Sequence, residues 1–330
     1  MLAPQTGKLT FLMKEIIYKD MGFGRRTTRG TGFKRKQIVK KVLFALLILV
    51  PVALSPAAYN RLIGNHLGER RQLRHYFEAG DFDAAHAKSA LLLLERPLDP
   101  HLLTIHGFSA YQLAIAQINS IDKLFYMSES VWSLRKALLS RENSQDGRIF
   151  YVLGKAYYYK GPAYADLAVK YLEKALAANF MASDIPEYLG LAYAALGDYR
   201  SSVAAFSLAL TGDRESSDIL LLAIARSYLA MEEMEAARAY LIRALQVSRD
   251  SNTVTVARLL LGNTFMRIGD LERAELEFLR VIEESGENAE AHFQLGEIYA
   301  LRGDTTRARA EWRRTLRLDP THGLAHRRLN

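Results

Sequence analysis

Histidine spacing is the first place to look for chemistry in this chain. His322 and His326 stand four apart, which puts both on one helix face, as metal ligands require. No carboxylate joins them in an H-E-x-x-H arrangement, so two solvated histidines on the last helix are expected. His101 and His106 are five apart and do not share a face, and His66, His75, His86 and His292 are scattered. No metal and no cofactor are expected. Covalent catalysis is equally unprovided for. The sequence holds no G-x-S-x-G elbow, and it has no cysteine to act as nucleophile, thiolate ligand, disulfide partner or lipidation site. The glycines of "GFGRRTTRGTG" (22–32) precede no strand and lie in a polar tail, so a phosphate-binding loop is not expected there. The many acids sit on helix faces in an ordinary solvated, amphipathic pattern. The chain therefore reads as a non-enzyme.

Its charge is concentrated at one end. Residues 1–41 hold eleven bases against two acids, a net of +9, which leaves −1 of the chain's +8 for everything beyond. The high overall basicity thus says nothing about the larger part, and no nucleic-acid partner is expected. An apolar run follows from Val42 to Ala58, broken only by Pro51, Ser55 and Pro56. Seventeen helical residues reach roughly 25 Å, slightly short of the hydrocarbon core. Snorkelling of Lys40 and Lys41, with Tyr59 at the far interface, makes a span feasible. Residues 1–37 then form a basic cytoplasmic tail, 38–59 a transmembrane anchor in contact with the lipid bilayer, and 60–330 an exported domain. The alternative is a signal peptide cleaved near Ser55-Pro56-Ala57. Either way, the remainder would lie in the periplasm of a bacterium, anchored by a single pass in the inner membrane if uncleaved.

The elements beyond the apolar run repeat. Leu261, Gly262, Phe265, Gly269, Asp270, Ala274 and Phe278 find like residues 34 positions later in Leu295, Gly296, Tyr299, Gly303, Asp304, Ala308 and Trp312. The same register holds at Leu189-Gly190, Tyr193, Gly197-Asp198 and Phe206, and at Leu153-Gly154, Tyr157, Gly161 and Leu172. It holds more loosely over 218–254, where Ala225 and Glu232 replace the two glycines. The first unit has Tyr76, Gly80-Asp81 and Ala85. A degenerate unit at about 100–146 shows only Gly107 and "SLRKALL". A glycine inside the first helix of each unit lets a second helix approach, and Gly-Asp supplies a reversal followed by a cap. The pattern resembles the tetratricopeptide repeat (TPR) family over about residues 66–322. That resemblance implies an all-α, TPR-type helical-hairpin solenoid of about six to seven units, preceded here by the one transmembrane helix.

In that family the first helix of each hairpin lines a concave groove that holds a protein or peptide. Carried onto this sequence, the resemblance implies a partner groove formed by Arg148, Tyr151, Lys155 and Tyr158, with Tyr159 alongside and Arg226 and Asn263 in later units. Aromatic rings interleaved with cations suit an extended or helical peptide, an acidic terminus or a small anionic ligand. The same tyrosines could instead be packing surface between repeats. The family's carboxylate clamp is not implied, since Tyr151, Glu187, Leu222, Leu259 and Phe293 occupy one of its key positions. The role implied is a non-enzymatic protein–protein interaction scaffold in a cell-envelope assembly. A ligand-binding accessory of a periplasmic solute transport system, or a structural homo-oligomer, is the alternative.

"GLAHRRLN" (323–330) repeats the phase of "AEAHFQLG" (289–296), so another first helix begins there without its mate. A short covering helix is the simple expectation, and self-association through this end is the other. Residues 267–290 and 302–328 carry net charges of −5 and +5, consistent with pairing between neighbouring helices.

Overall fold

The computed structural model describes residues 56–210, 217–285 and 287–330, with side chains from residue 67 onward, Ser285 apart. The chain divides into two compact units, residues 1–69 and 70–330. Of the first, only the leading part of helix α1 (Pro56–Glu78) is described. The expected anchor at 38–59 lies outside the described residues except for its last four positions, and the basic tail lies wholly outside them. Among the described residues no helix is long and apolar enough to cross a membrane.

Those residues form fifteen helices and no strand. After α1 come α2 (Phe82–Glu95), α3 (Pro100–Ala116), α4 (Ser120–Ala137) and α5 (Gly147–Tyr159). A 3₁₀ turn at Pro162–Tyr164 leads into α6 (Ala165–Ala177), followed by α7 (Ile185–Ala195) and α8 (Tyr199–Ala209). The array continues with α9 (Asp218–Ala230), α10 (Met234–Val247), α11 (Ser251–Arg267) and α12 (Leu271–Ser285). It ends with α13 (Ala289–Leu301), α14 (Thr305–Leu318) and α15 (Gly323–Leu329). From α2 onward each helix packs on the next in sequence, so α3 to α14 are six successive antiparallel hairpins.

One reversal recurs within these hairpins. Gly80, Gly197, Gly269 and Gly303 hold φ between +77° and +81°, which a residue with a Cβ rarely adopts. The aspartate after each then caps the second helix. Asp81, Asp198, Asp270 and Asp304 accept from the N–H groups of Ala84, Ser201, Arg273 and Arg307 at 2.9–3.1 Å. At α9–α10 the same backbone shape is imposed on Glu232, with φ of 62°, and no side chain caps α10.

Inside each hairpin the first-helix glycine meets a large residue of the second helix. A Cβ on Gly190 or Gly262 would stand 2.6 Å from the ring of Phe206 or Phe278. No such atom fits, and both phenylalanines are buried completely, or nearly so, as a result. The stretched unit at 100–146 closes in the same way: α3 and α4 make a full hairpin with Gly107 against Leu134. Its reversal lacks the glycine and is capped by Asn119 instead.

Two main hydrophobic clusters result, one running from α3 into α8 and one from α9 to α15. Phe206, Ala209, Leu220 and Ile224 form a smaller cluster between α8 and α9. At the far end α15 buries Ala325 completely and rests Leu329 on the second main cluster, while Leu324 stays 48% exposed. The first helices approach one another across hairpins, α3 to α5, α5 to α7, α9 to α11 and α11 to α13, more closely than the second helices do. They therefore line the narrower, inner face.

Candidate functional site

On that inner face α5 offers Tyr151, Lys155 and Tyr159, each one helical turn beyond the last, and α7 answers with Asp184 and Tyr188. Asp184 stands at the start of α7, where an aspartate would normally cap, yet it makes no capping bond. Its carboxylate is used elsewhere. Tyr151 donates its hydroxyl to it, 2.9 and 2.8 Å from the two oxygens, and Lys155 Nζ reaches it at 2.8 Å. Lys155 also donates to Tyr151 at 2.9 Å and lies over the rings of Tyr151 and Tyr188, 4.9 and 4.5 Å from their centroids. The hydroxyls of Tyr159 and Tyr188 share a hydrogen bond of 2.7 Å. Tyr158 meets both rings edge-on at 5.3 Å, and Lys123 of α4 sits over Tyr159 at 4.7 Å. Beneath these groups lies Tyr111 of α3, 5% exposed, with a hydroxyl that has no hydrogen-bond partner among the described residues.

The electrostatics follow from this packing. Burial opposes the charge on Lys155, but its bonds to Asp184 and Tyr151 outweigh that and hold its pKa above the usual lysine value. Burial raises Tyr151 and Tyr111, and burial plus the bond to Tyr159 raise Tyr188 strongly. At neutral pH the cluster is therefore a set of neutral phenols around one internally compensated ion pair. It presents ring faces and edges, with Lys123 as a further cation at its margin. Tyr158 and Tyr159, with Gly161, Pro162, Ala165, Leu191 and Ala195, edge an open depression of ≈ 380 Å³ beside it.

The residues expected at the groove separate into three groups. Tyr151, Lys155, Tyr158 and Tyr159 are brought together, with Asp184, Tyr188 and Tyr111 as companions that the sequence reading missed. Arg148 is exposed and turns back on its own helix cap, donating to Asp146 from Nη2 at 2.9 Å. Arg226 on α9 is exposed and Asn263 on α11 half-buried, one and two hairpins beyond α7 and outside the cluster. Near Asn263, Met266 of α11, Phe293, Glu297 and Leu301 of α13, and Leu324 and Arg328 of α15 line a second inner-face groove of ≈ 430 Å³.

Comparison with known proteins agrees with the geometry. Residues 220–251 and 259–322 match family models described as Tetratricopeptide repeat. Over those residues the chain carries tetratricopeptide repeats. No curated protein matches it. Among solved structures it is similar to the C-terminal part of a TPR repeat-containing protein from Cytophaga hutchinsonii, at 16% identity and a TM-score of 0.58, covering 79% of this chain and 99% of that one. It is also similar to PilW, described as a widely conserved type IV pilus biogenesis factor, at 19% identity and a TM-score of 0.53, covering 68% of this chain and 98% of that one. Both likenesses show the fold. The repeats that match the family models lie in α9–α14, whereas the tyrosine cluster lies in the hairpins before them.

One further polar cluster was not foreseen from the sequence. His86 of α2, His106 of α3 and Glu129 of α4 place ligating atoms within 4.8 Å of one another, a group that could hold a metal ion. Burial and the neighbouring His86 lower the His106 pKa to about 4, so this imidazole is neutral at physiological pH. Their separations in sequence fit no single helix periodicity, which is why spacing alone did not reveal them.

Proposed function

We propose that this chain is a non-enzymatic scaffold whose inner face holds a peptide segment of a partner protein against Tyr151, Tyr158, Tyr159 and Tyr188. The observation that carries this reading is the pre-set aromatic surface of α5 and α7. The hydroxyls of Tyr151, Tyr159 and Tyr188 and the Lys155 ammonium are already bonded within the cluster, so little ordering of them remains to be done on binding. Because Asp184 answers Lys155, the segment that fits best is apolar, aromatic or proline-rich, laid across the rings. An acidic terminus or a small organic anion would have to compete with Asp184, which disfavours the transport-accessory reading.

The setting proposed for this work is the bacterial cell envelope, with residues 38–59 as an inner-membrane anchor and the repeats in the periplasm. That part rests on the +9 tail ending where the apolar run begins. A role in envelope assembly, as in pilus or flagellar systems, is in keeping with the kind of protein PilW is described to be. Self-association through the C-terminal end is a second reading, favoured by the groove at α11, α13 and α15, where Leu301 is 66% and Leu324 48% exposed.

The test compares complexes recovered from cells expressing the full chain with Tyr159→Ala/Tyr188→Ala or with Leu301→Asp/Leu324→Asp. Loss of a defined partner with the tyrosine pair alone supports the groove on α5 and α7. Loss of self-association with the leucine pair alone supports the second reading. Recovery unchanged in both, with normal helicity, rejects both surfaces.

A further inference from the structure

Imidazoles inside a repeat array call for a reason, because an apolar residue packs there with no polar group to desolvate. His106 is 6% exposed, and Ser89 holds its Nδ1 edge. Ser89 Oγ lies 2.9 Å from the His86 carbonyl and 3.1 Å from His106 Nδ1. With the hydroxyl donated to the carbonyl, its lone pairs face Nδ1, and the tautomer that fits carries the hydrogen on Nδ1 and leaves the Nε2 lone pair free. This is how an outer partner orients a metal-ligating imidazole. His86 stacks on His106 with ring centroids 4.2 Å apart and an interplanar angle of 18°, and its Nε2 stands 3.0 Å from Glu129 Oε2. The side chains of His86 and Glu129 are 17% and 32% exposed, so the cluster is closed at His106 and open at the carboxylate.

We propose that His86, His106 and Glu129 form a binding site for a divalent transition-metal ion of the zinc class. Two imidazole nitrogens and one carboxylate oxygen are a set that zinc uses with water in the fourth position. Magnesium or calcium would find a single carboxylate and two nitrogens, a poor set for an oxygen-seeking ion. Tetrahedral donors around zinc stand about 3.3 Å apart. The present separations, up to 4.8 Å, exceed that by no more than about 1.5 Å. Binding requires His86 to turn out of its stack on His106 and Glu129 to follow, a change of rotamer open to these two partly exposed side chains. The ligands come from α2, α3 and α4, so the ion would fasten α2 to the hairpin that follows it. That is a different task from partner binding on α5 and α7, and it does not depend on it.

The test uses the untagged full chain, stripped with a chelator and titrated with zinc chloride by calorimetry and with Co²⁺ by visible absorption. The wild type is expected to take one equivalent with low-micromolar or tighter affinity, give a tetrahedral cobalt spectrum and melt at a higher temperature with zinc. His86→Gln and Glu129→Gln are each expected to weaken binding at least about tenfold without changing the metal-free melt, and Ser89→Ala to weaken it by a smaller factor. No stoichiometric uptake by the wild type overturns the proposal. So does uptake that is unchanged in both variants, which would put the ion elsewhere. If the variants fail to fold, His322→Gln/His326→Gln decides: its cobalt spectrum should match the wild type, and loss of the spectrum there overturns the assignment.

Discussion

Between α9 and α15 the polar side chains that reach from helix to helix are mostly arginines and glutamates. Arg258 bridges Glu277 and Glu284, Arg302 meets Glu275, and Arg328 meets Glu297. His292, Tyr299 and His322 join them, each bonded to a glutamate. Between α2 and α7 the corresponding groups are mostly tyrosines, histidines and lysines, bonded through Asp184, Ser89, Glu129 and Ser128. The two regions share a packing plan, with a first-helix glycine against a large second-helix residue in Gly262–Phe278 and Gly154–Leu172 alike. They differ in what they bury beside it. Arginine–glutamate pairs that solvent reaches contribute little individually, the exception being Glu277, 6% exposed and held by Arg258 and Arg280. Half-buried phenols and imidazoles require a specific answer for each polar atom, and Tyr111 has none among the described residues. Polar groups held in this way inside a repeat array are where function is expected to lie.

Core truncation should not distinguish the regions. Phe278→Ala is expected to cost about 3–5 kcal/mol and Leu134→Ala about 2–5 kcal/mol in urea unfolding, since both are fully buried. A small loss at Leu134 would mean that the divergent hairpin is loosely packed. Removing one acid from each region should separate them. Asp184→Ala leaves the Lys155 ammonium, 12% exposed, without its counter-charge and is expected to cost about 1–3 kcal/mol. Glu297→Ala frees Arg328, whose side chain is 55% exposed, and should cost less than about 1 kcal/mol. Equal costs would erase the contrast.

High pH gives a gentler probe. The folded-state pKa values of Tyr111, Tyr151, Tyr158 and Tyr188 are raised, with burial the leading cause. The unfolded chain therefore releases these protons first, near pH ~10. The stability they confer is fully present below that pH and is lost as pH rises through the folded values. Ultraviolet tyrosine titration should show a lagging fraction that shrinks in Tyr188→Phe. The smallest effect lies in the regular region. Glu232→Gly relieves a positive φ and should stabilise by less than about 1 kcal/mol, the lost bond to Arg267 being exposed.

The fold was legible because glycine, aromatic and aspartate each answer a steric demand at fixed spacing, as in Gly296, Tyr299 and Asp304. The hairpin at 100–146 was read only as a degenerate unit because Asn119, not a Gly-Asp pair, ends its reversal. Half of the tyrosine cluster was legible for a similar reason: Tyr151, Lys155 and Tyr159 repeat along one helix. Their partners do not. Asp184 reads in sequence as a helix boundary, and its diversion to Tyr151 and Lys155 depends on how α5 and α7 pack. His86, His106 and Glu129 come from three helices whose contacts no local spacing encodes.

The most direct test of the central claim places a photo-crosslinking residue at position 158, 327 or 313 of the full chain in cells. Position 158 lies beside the tyrosine cluster, 327 in the second inner groove and 313 on an exposed part of α14. A discrete adduct from 158 that disappears with Tyr159→Ala/Tyr188→Ala, with none from 313, is the expected result. Adducts from 327 or 313 but not from 158 would contradict the assignment of partner binding to α5 and α7.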